Sequence, residues 1–389
     1  MTGLRAWAAA LVAAVLSTAS FAGSPASPEA AARLREIMER VRSSPPQPSS
    51  PAEARERMQE RARLLAEGEG ALARLEVEGA LRSFEQAAAL AHAADTELGL
   101  VRTYMQGGEY RRAVAFVAHT ATAHRDAPGG AALYAWLLKS GGYPDQALRM
   151  LREAEQRFPG DPLLQRVRQL LGAGTAPDGA LLDPPARLAP YGPATLPAAA
   201  RVAGSAVLLD GGRALVPASA LKAGGRFWVR DGLGRLVQAT PERGGTAKGV
   251  VTLRLKPELP PVEYPIAPRD AFPGSPAFLV EYVAAPTAHP AWPVLSSGFL
   301  GAAAGAAGDR ELGLDIAAGP RGGPVFDAAG RFIGMALPAG KGPGVLVPAS
   351  RLVPRAQPNA TQDVTVGRVS VDEIYERALR VSLQLISAP

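Results

Sequence analysis

The sequence has no cysteine, and it has only four histidines and five lysines among its 389 residues. The absence of cysteine excludes disulfides, thiolate metal sites, covalently attached c-type haem and a lipoprotein anchor. The few histidines leave few side chains suited to general-base chemistry near neutral pH. Hydrophobic residues make up 47% of the chain, which is ample for packed cores, and the length allows two or three domains.

The charge of the chain is weakly positive and evenly spread. The formal net charge is +6 at pH 7, and basic residues alternate with acidic ones along the predicted helices. Such alternation is typical of a solvated helix face, and no nucleic-acid-binding motif is present. We therefore expect no nucleic-acid partner.

The start of the chain, Met1–Ala22, has the pattern of a secretory signal peptide. Arg5 precedes an apolar run from Ala6 to Leu16, and the small residues Ser20 and Ala22 precede Gly23. This run is too short to span a bilayer, so a retained membrane anchor is the less favoured alternative. We predict a periplasmic or secreted protein with no membrane span after the segment 1–22 is removed.

A helical half follows the signal. Residues 23–75 are predicted as a helical segment in which the Pro/Ser stretch Ser43–Pro51 separates helices at Ser24–Arg42 and Ala52–Leu75. Residues 172–199 are rich in Pro, Gly and Ala and are predicted as a linker to the second half.

Residues 76–171 contain an internal repeat. A helical pattern follows each of the glycine pairs Gly107-Gly108 and Gly141-Gly142. Small and apolar residues recur in three copies of this pattern, at Ala80, Leu81, Phe84, Ala87; Ala113, Val114, Val117, Thr120; and Ala147, Leu148, Leu151, Ala154. The interval between copies and the helix–turn–helix layout resemble tetratricopeptide (TPR) repeats, which implies a groove that binds a peptide or helix. An unrelated helical bundle is the alternative.

Residues 361–389 are predicted as a strand followed by an amphipathic helix. The strand has alternating valines, and Ser370 with Glu373 forms a capping box at the start of the helix. The valines and the apolar stripe of the helix are Val364, Val366, Val369 and then Val371, Ile374, Ala378, Val381, Leu385. We expect the stripe to dock on its own domain, and a dimer or partner helix is the alternative.

The stretch from Gly319 to Leu337 reads GPRGGPVFDAAGRFIGMAL. It resembles the nucleophile loop G-[ND]-S-G-G-P and the following hairpin of trypsin-like serine proteases, closest to the bacterial HtrA type. The glycines, the proline and the hairpin residues of that pattern are Gly319, Gly322, Gly323, Pro324, Val325, Phe326, Asp327 and Gly330. Arg321 stands in place of the serine, and a guanidinium can be neither nucleophile nor general base.

The resemblance extends to the other two catalytic positions. The strand that precedes the family's histidine resembles Gly204–Leu221, and the histidine position falls on Ala220. The strand that the family's aspartate opens resembles Gly249–Leu255, so Gly249 replaces the aspartate. The resemblance implies a trypsin-like double β-barrel over residues 200–360, preceded by α-helical repeats, with all three positions of the triad replaced. The backbone amides of an oxyanion-like loop would remain at Gly319, Arg321, Gly322 and Gly323.

Two other groups of polar residues are candidates for a metal site or an ion pair. His119 and His124 are close in sequence on a predicted helix with no nearby third ligand, so we expect no metal site and no cofactor. Asp315 shortly precedes Arg321. The two residues could form an ion pair that blocks the former active site. The favoured interpretation is that Asp315 only ends a strand.

These observations predict a secreted, non-catalytic adaptor or scaffold of the bacterial envelope. The TPR-like half would bind a protein or peptide, and the pseudoprotease would keep a peptide-binding cleft without cleaving. The alternative is a divergent serine endopeptidase with a relocated active site at Ser219, Ser296 or Ser297, although the sequence shows no base near them. A purely structural module of a larger envelope assembly is the third hypothesis.

Overall fold

The computed structural model describes residues 50–74, 76–173, 196–232, 234–242, 249–288, 291–304, 308–314, 322–338, 344–353 and 367–389. The predicted signal peptide, the helix predicted at 24–42 and most of the predicted linker lie outside these residues, as do Asp315, Gly319 and Arg321. Within the described ranges, every helix is too short or too polar to cross a bilayer.

Helices make up the first half of the described chain. In order they are α1 (Pro51–Ala73), α2 (Val77–Leu90), α3 (Ala94–Gln106), α4 (Tyr110–Ala123), α5 (Pro128–Ser140), α6 (Pro144–Arg157) and α7 (Pro162–Ala173). Each packs against the next, which the short connections favour. The starts of α3 and α5 are separated by the same number of residues as the two glycine pairs. The starts of α4 and α6 are separated by that number as well. The helix boundaries therefore follow the period of the sequence repeat.

Small residues allow these helices to approach closely. The ring of Phe84 in α2 lies against Gly68 of α1 and Gly99 of α3, and a methyl group added at Gly99 would lie 2.4 Å from that ring. The repeat alanines Ala113 and Ala147 are fully buried. The repeated small residues are therefore packing positions.

The first barrel is a closed sheet of six antiparallel strands in the order β1-β12-β3-β4-β5-β2. These strands are β1 (Arg201–Asp210), β2 (Arg213–Pro217), β3 (Arg226–Arg230), β4 (Leu236–Pro241), β5 (Val250–Lys256) and β12 (Ser382–Ala388). A hairpin whose turn includes Asp231 and Gly232 joins β3 to β4, and the Asp231 carboxylate accepts the Arg235 backbone amide at 2.8 Å.

The second barrel is also closed, in the order β10-β11-β8-β7-β6-β9. Its strands are β6 (Pro276–Glu281), β7 (Val294–Ala303), β8 (Arg310–Gly313), β9 (Pro324–Phe326), β10 (Phe332–Leu337) and β11 (Val345–Pro348), followed by the short helix α8 (Ala349–Leu352) and by α9 (Val371–Leu379). The predicted fold class is confirmed: a helical half is followed by two closed six-stranded barrels and a C-terminal helix. The paired barrels have the trypsin-like architecture.

The tail differs from its prediction. Ser370 caps α9 as expected, since its hydroxyl accepts the Glu373 amide, but the helix ends at Leu379 rather than at Leu385. Val381 and Leu385 suit a helical stripe and a strand equally well, and pairing with open edges of the first barrel determines the outcome. The predicted domain boundary between residues 360 and 361 therefore separates β12 from the barrel that it completes. Of the predicted strand, Val364 and Val366 lie outside the described residues, and Val369 lies in no strand.

Strand β12 fits between β1 and β3 through both apolar and polar contacts. All seven of its residues are buried. Leu385 is fully buried in the core, and the amide oxygen of Gln384 accepts a hydrogen bond from the guanidinium of Arg230 in β3 at 2.7 Å. A buried polar pair of this kind favours a single register, because a slip by one residue would break the hydrogen bond between the two groups.

An aromatic cluster joins the helical half to the barrels. The ring centroids of Tyr110 in α4 and Tyr375 in α9 lie 4.6 Å apart in an edge-to-face arrangement. Trp292, just before β7, contacts both tyrosines and Trp136 of α5. All four rings are buried, so the two halves share one hydrophobic core.

We expect Leu385→Ala to lower the free energy of unfolding by about 2–5 kcal/mol, because it leaves a cavity in a fully buried site. The midpoint of urea denaturation, followed by tryptophan fluorescence, measures this change. Gln238→Ala on the exposed face of β4 is the control and should change the free energy by less than about 0.5 kcal/mol. Equal midpoints for the two variants would show that β12 does not help to close the barrel.

Candidate functional site

The junction of the two barrels brings together segments that carry predicted site residues. The 3₁₀ turn Ala218–Ala220 follows β2, Gly249 precedes β5, and Gly322 precedes β9. The backbone amide of Ala218 donates to the carbonyl of Gly249 over 2.8 Å. A methyl group on Gly322 would lie 3.4 Å from Cγ of Pro217. Three distant parts of the sequence therefore adjoin here.

The positions predicted for the histidine and the aspartate carry no group that can transfer a proton. Ala220 is buried and ends in a methyl group. Gly249 has φ of +87°, and a Cβ there would lie 2.7 Å from Cδ1 of Leu337 in β10. The backbone at Gly249 is thus shaped for glycine and disfavours any side chain.

The described part of the predicted oxyanion-like loop is tightly held. Gly322 has φ of +128°, and a Cβ there would lie 2.1 Å from the carbonyl oxygen of Ala336. The carbonyl of Gly323 accepts the amide of Ala336 at 2.9 Å. A Cβ on Gly323 would lie 2.8 Å from the carbonyl oxygen of Val280 and 3.2 Å from Cβ of Ser205 in the first barrel. The Gly322-Gly323 pair therefore lets the loop pass between the barrels.

The serines of the alternative hypothesis lie in two places. Ser219 is exposed in the 3₁₀ turn beside Ala220. Ser296 and Ser297 lie on β7, where they pair with Leu279 and Phe278 of β6. Within the described ranges no hydrogen bond joins any of the three hydroxyls to a histidine. A hydroxyl without an adjacent base is a weak nucleophile.

Three of the four histidines converge on one buried carboxylate in the helical half. Nε2 of His92 lies 2.6 Å from Oε1 of Glu97, and Nε2 of His119 lies 3.5 Å from the same oxygen. Nε2 of His124 lies 3.5 Å from Oε2 of Glu97. We predicted that His119 and His124 have no third ligand nearby, and this was wrong, because helix packing brings His92 and Glu97 to His124.

The charges of this cluster affect one another. Burial alone would raise the pKa of Glu97, but His119 and His92 lie against the carboxylate and hold that pKa well below its ordinary value. The hydrogen bond to Glu97 raises the pKa of His92. Glu97 is therefore ionised across the physiological range and offers a negative charge inside the helical half.

The sequence held a weak signal of this cluster. His92 precedes Glu97 by the same interval by which His119 precedes His124. Read alone, each pair is unremarkable, because neither spacing places both side chains on one face of a helix. Only the packing of α3 beside α4, together with the α2–α3 connection, brings the two pairs together.

No model of a known protein family matches the chain, and no curated protein matches it. The solved structures that are similar to part of the chain include three proteases. The MamO protease domain from Magnetospirillum magneticum (apo form) has 18% identity and a TM-score of 0.31 and covers 40% of this chain and 94% of its own. The Rv3671c protease in its inactive form has 15% identity and a TM-score of 0.31, covering 39% and 85%. The serine endoprotease from Yersinia pestis has 14% identity and a TM-score of 0.30, covering 39% and 59%.

These likenesses are too distant to assign an activity, so the fold rests on the two closed barrels themselves.

We expect Gly249→Ala to destabilise the protein more than Gly224→Ala does. Both glycines have positive φ, which costs about 1–3 kcal/mol for another residue, but only at Gly249 would the new methyl group meet a neighbour. Urea midpoints measure the difference between the two variants.

Leu337→Ala completes the test as a double-mutant cycle with Gly249→Ala. Removing the Leu337 side chain should recover part of the loss, with a coupling energy of about 0.5–3 kcal/mol. Equal costs at the two glycines and no coupling would mean that the backbone at Gly249 does not exclude a side chain.

Proposed function

We propose that the protein is a non-catalytic adaptor of the bacterial envelope, in which a TPR-like helical half binds protein and a trypsin-like double barrel no longer cleaves peptides. The hydrogen bond from Ala218 to Gly249 is the observation that carries this proposal. It holds Ala220 and Gly249 at adjoining places, where the family resemblance puts the histidine and the aspartate. Neither residue can accept a proton.

Peptide hydrolysis by this fold needs a nucleophile and a base that activates it. The sequence supplies Arg321 at the nucleophile position, and a guanidinium cannot attack a carbonyl carbon. The described histidines lie together on Glu97 in the helical half rather than at the barrel junction. These observations support loss of the protease reaction.

A peptide-binding role for the junction rests on backbone groups. A backbone amide does not depend on the side chain, so we infer that Gly319 and Arg321 would still offer amide donors to an anion. The positive charge of Arg321 suits a peptide carboxylate, which a guanidinium can bind through two parallel hydrogen bonds.

The helical half supports the adaptor role in a second way. Its helices follow the period of the sequence repeat, and TPR-like stacks use such repeats to hold a protein segment. The signal-like pattern of residues 1–22 supports export to the periplasm or beyond the cell.

A relocated serine endopeptidase is the second candidate, favoured only by the exposed Ser219 at the barrel junction. It requires a base that the described residues around Ser219 do not provide. A structural module without a peptide ligand would share the loss of catalysis and differ only in its partner.

We expect the mature protein to resist labelling by a fluorophosphonate probe and to leave unfolded casein intact, because within the described residues Ser219, Ser296 and Ser297 have no hydrogen bond to a histidine that could activate them. In-gel fluorescence and peptide release measure the two results, with trypsin as the positive control. Labelling that disappears in Ser219→Ala, Ser296→Ala or Ser297→Ala would establish the endopeptidase instead.

We expect Arg321→Ala to weaken binding of peptides that end in a free carboxylate by about 10–100-fold, the range for a charge-assisted hydrogen bond. Fluorescence anisotropy with a labelled peptide library measures this, and the amidated peptides should bind the parent protein weakly. Arg254→Ala on β5, where Arg254 is exposed and paired with Glu242, is the matched control. Equal affinities for Arg321→Ala and Arg254→Ala would remove Arg321 from the proposed cleft.

A further inference from the structure

The cluster around Glu97 lies where three helices of the helical half end or begin. His92 lies in the connection between α2 and α3, and Glu97 lies in the first turn of α3. His119 lies in the last turns of α4, and His124 is the residue that ends this helix. The cluster therefore spans two successive helical hairpins, and the barrel junction does not contribute to it.

The donor atoms of this cluster have the spacing of a metal site. One donor atom each from His92, Glu97 and His124 lie within 4.8 Å of one another. In a tetrahedral zinc site the bonds are about 2.0–2.1 Å long, which places neighbouring donors about 3.3 Å apart. The 3.5 Å between His124 Nε2 and Glu97 Oε2 is close to that edge length. The shorter distance between His92 and Glu97 is that of a hydrogen bond, which metal binding would replace.

Buried polar atoms of the cluster lack partners. Oε2 of Glu97, Nε2 of His119 and Nε2 of His124 are all buried without a hydrogen-bond partner in the described part of the chain. Such atoms are rare in folded proteins, and each costs free energy when it stays unpaired. A cation between the carboxylate and the imidazoles would satisfy Glu97 Oε2 and His124 Nε2 together.

The chemistry of the donors selects the class of ion. Two neutral imidazoles and one carboxylate suit zinc and related divalent transition metals, whereas calcium and magnesium prefer sites made of oxygen donors. The side chain of His92 is 53% exposed, so an ion can reach the cluster from solvent.

We propose that His92, Glu97 and His124 form a binding site for a divalent transition metal of the zinc type, with the fourth position open to water. His119, 3.5 Å from Glu97 Oε1, is a positioning residue that orients the carboxylate. Metal binding would cross-link the α2–α3 connection to the end of α4. It would stabilise the helical half without any part in protease chemistry.

The test uses the mature protein without a polyhistidine tag, stripped with EDTA and dialysed. Isothermal titration with zinc chloride should show about one ion bound per chain, and cobalt(II) should give visible absorption bands with the intensity of a four-coordinate site. Zinc should also raise the thermal unfolding midpoint of the parent protein.

Variants distinguish zinc binding at this cluster from nonspecific zinc binding to histidines elsewhere. His92→Ala alters an exposed side chain, so it should fold normally while losing at least tenfold in zinc affinity. Glu97→Gln keeps the shape of the side chain and should lose the cobalt bands. His119→Ala should weaken binding about 10–100-fold, the effect of removing a group that orients a ligand. His289→Ala, which removes the chain's remaining histidine, should leave the titration unchanged.

Two results would overturn the proposal. Less than about one fifth of an equivalent of zinc bound to the parent protein would show that the cluster is an ion-paired network only. Equal affinities for the parent, His92→Ala and Glu97→Gln would place the bound zinc elsewhere. Circular dichroism of each stripped variant separates loss of the site from loss of folding.

Discussion

The pairing of β12 with β1 and β3 is the contact on which the rest of the structure depends. Without it, the five earlier strands of the first barrel form an open sheet with two exposed edges. The same segment of chain carries α9, whose Tyr375 meets Tyr110 of the helical half. Closure of the barrel and docking of the helices therefore both involve this segment. The shared aromatic core explains why the two halves pack against each other.

The barrel junction is held together by backbone groups. The contact between Ala218 and Gly249 is made by backbone groups, so it does not require a catalytic side chain at either position. The tight passage of Gly322 and Gly323 between the barrels is likewise a matter of backbone packing. Selection for a stable double barrel is enough to preserve these features, so the architecture alone says little about activity.

The sequence predicted the elements well and their partners less well. The period of the glycine pairs indicated the helices, and the loop at Gly322 and Gly323 indicated the second barrel, because both patterns are local. The tail was ambiguous because Val381 and Leu385 satisfy a helical and a strand spacing alike, and only the open edges of a distant sheet decide between them. The contact between His92 and His124 depends on the packing of helices, for which the matching spacings of the two pairs are only a weak signal.

The position of β12 in the chain has a consequence for the order in which the protein is made. The strands of the second barrel lie between β5 and β12 in sequence. The first barrel therefore cannot close until the whole second barrel has been synthesised. During synthesis, the edges of β1 and β3 stay available to other extended chains. This topology would therefore benefit from a chaperone that covers exposed sheet edges, more than from one that binds exposed apolar side chains.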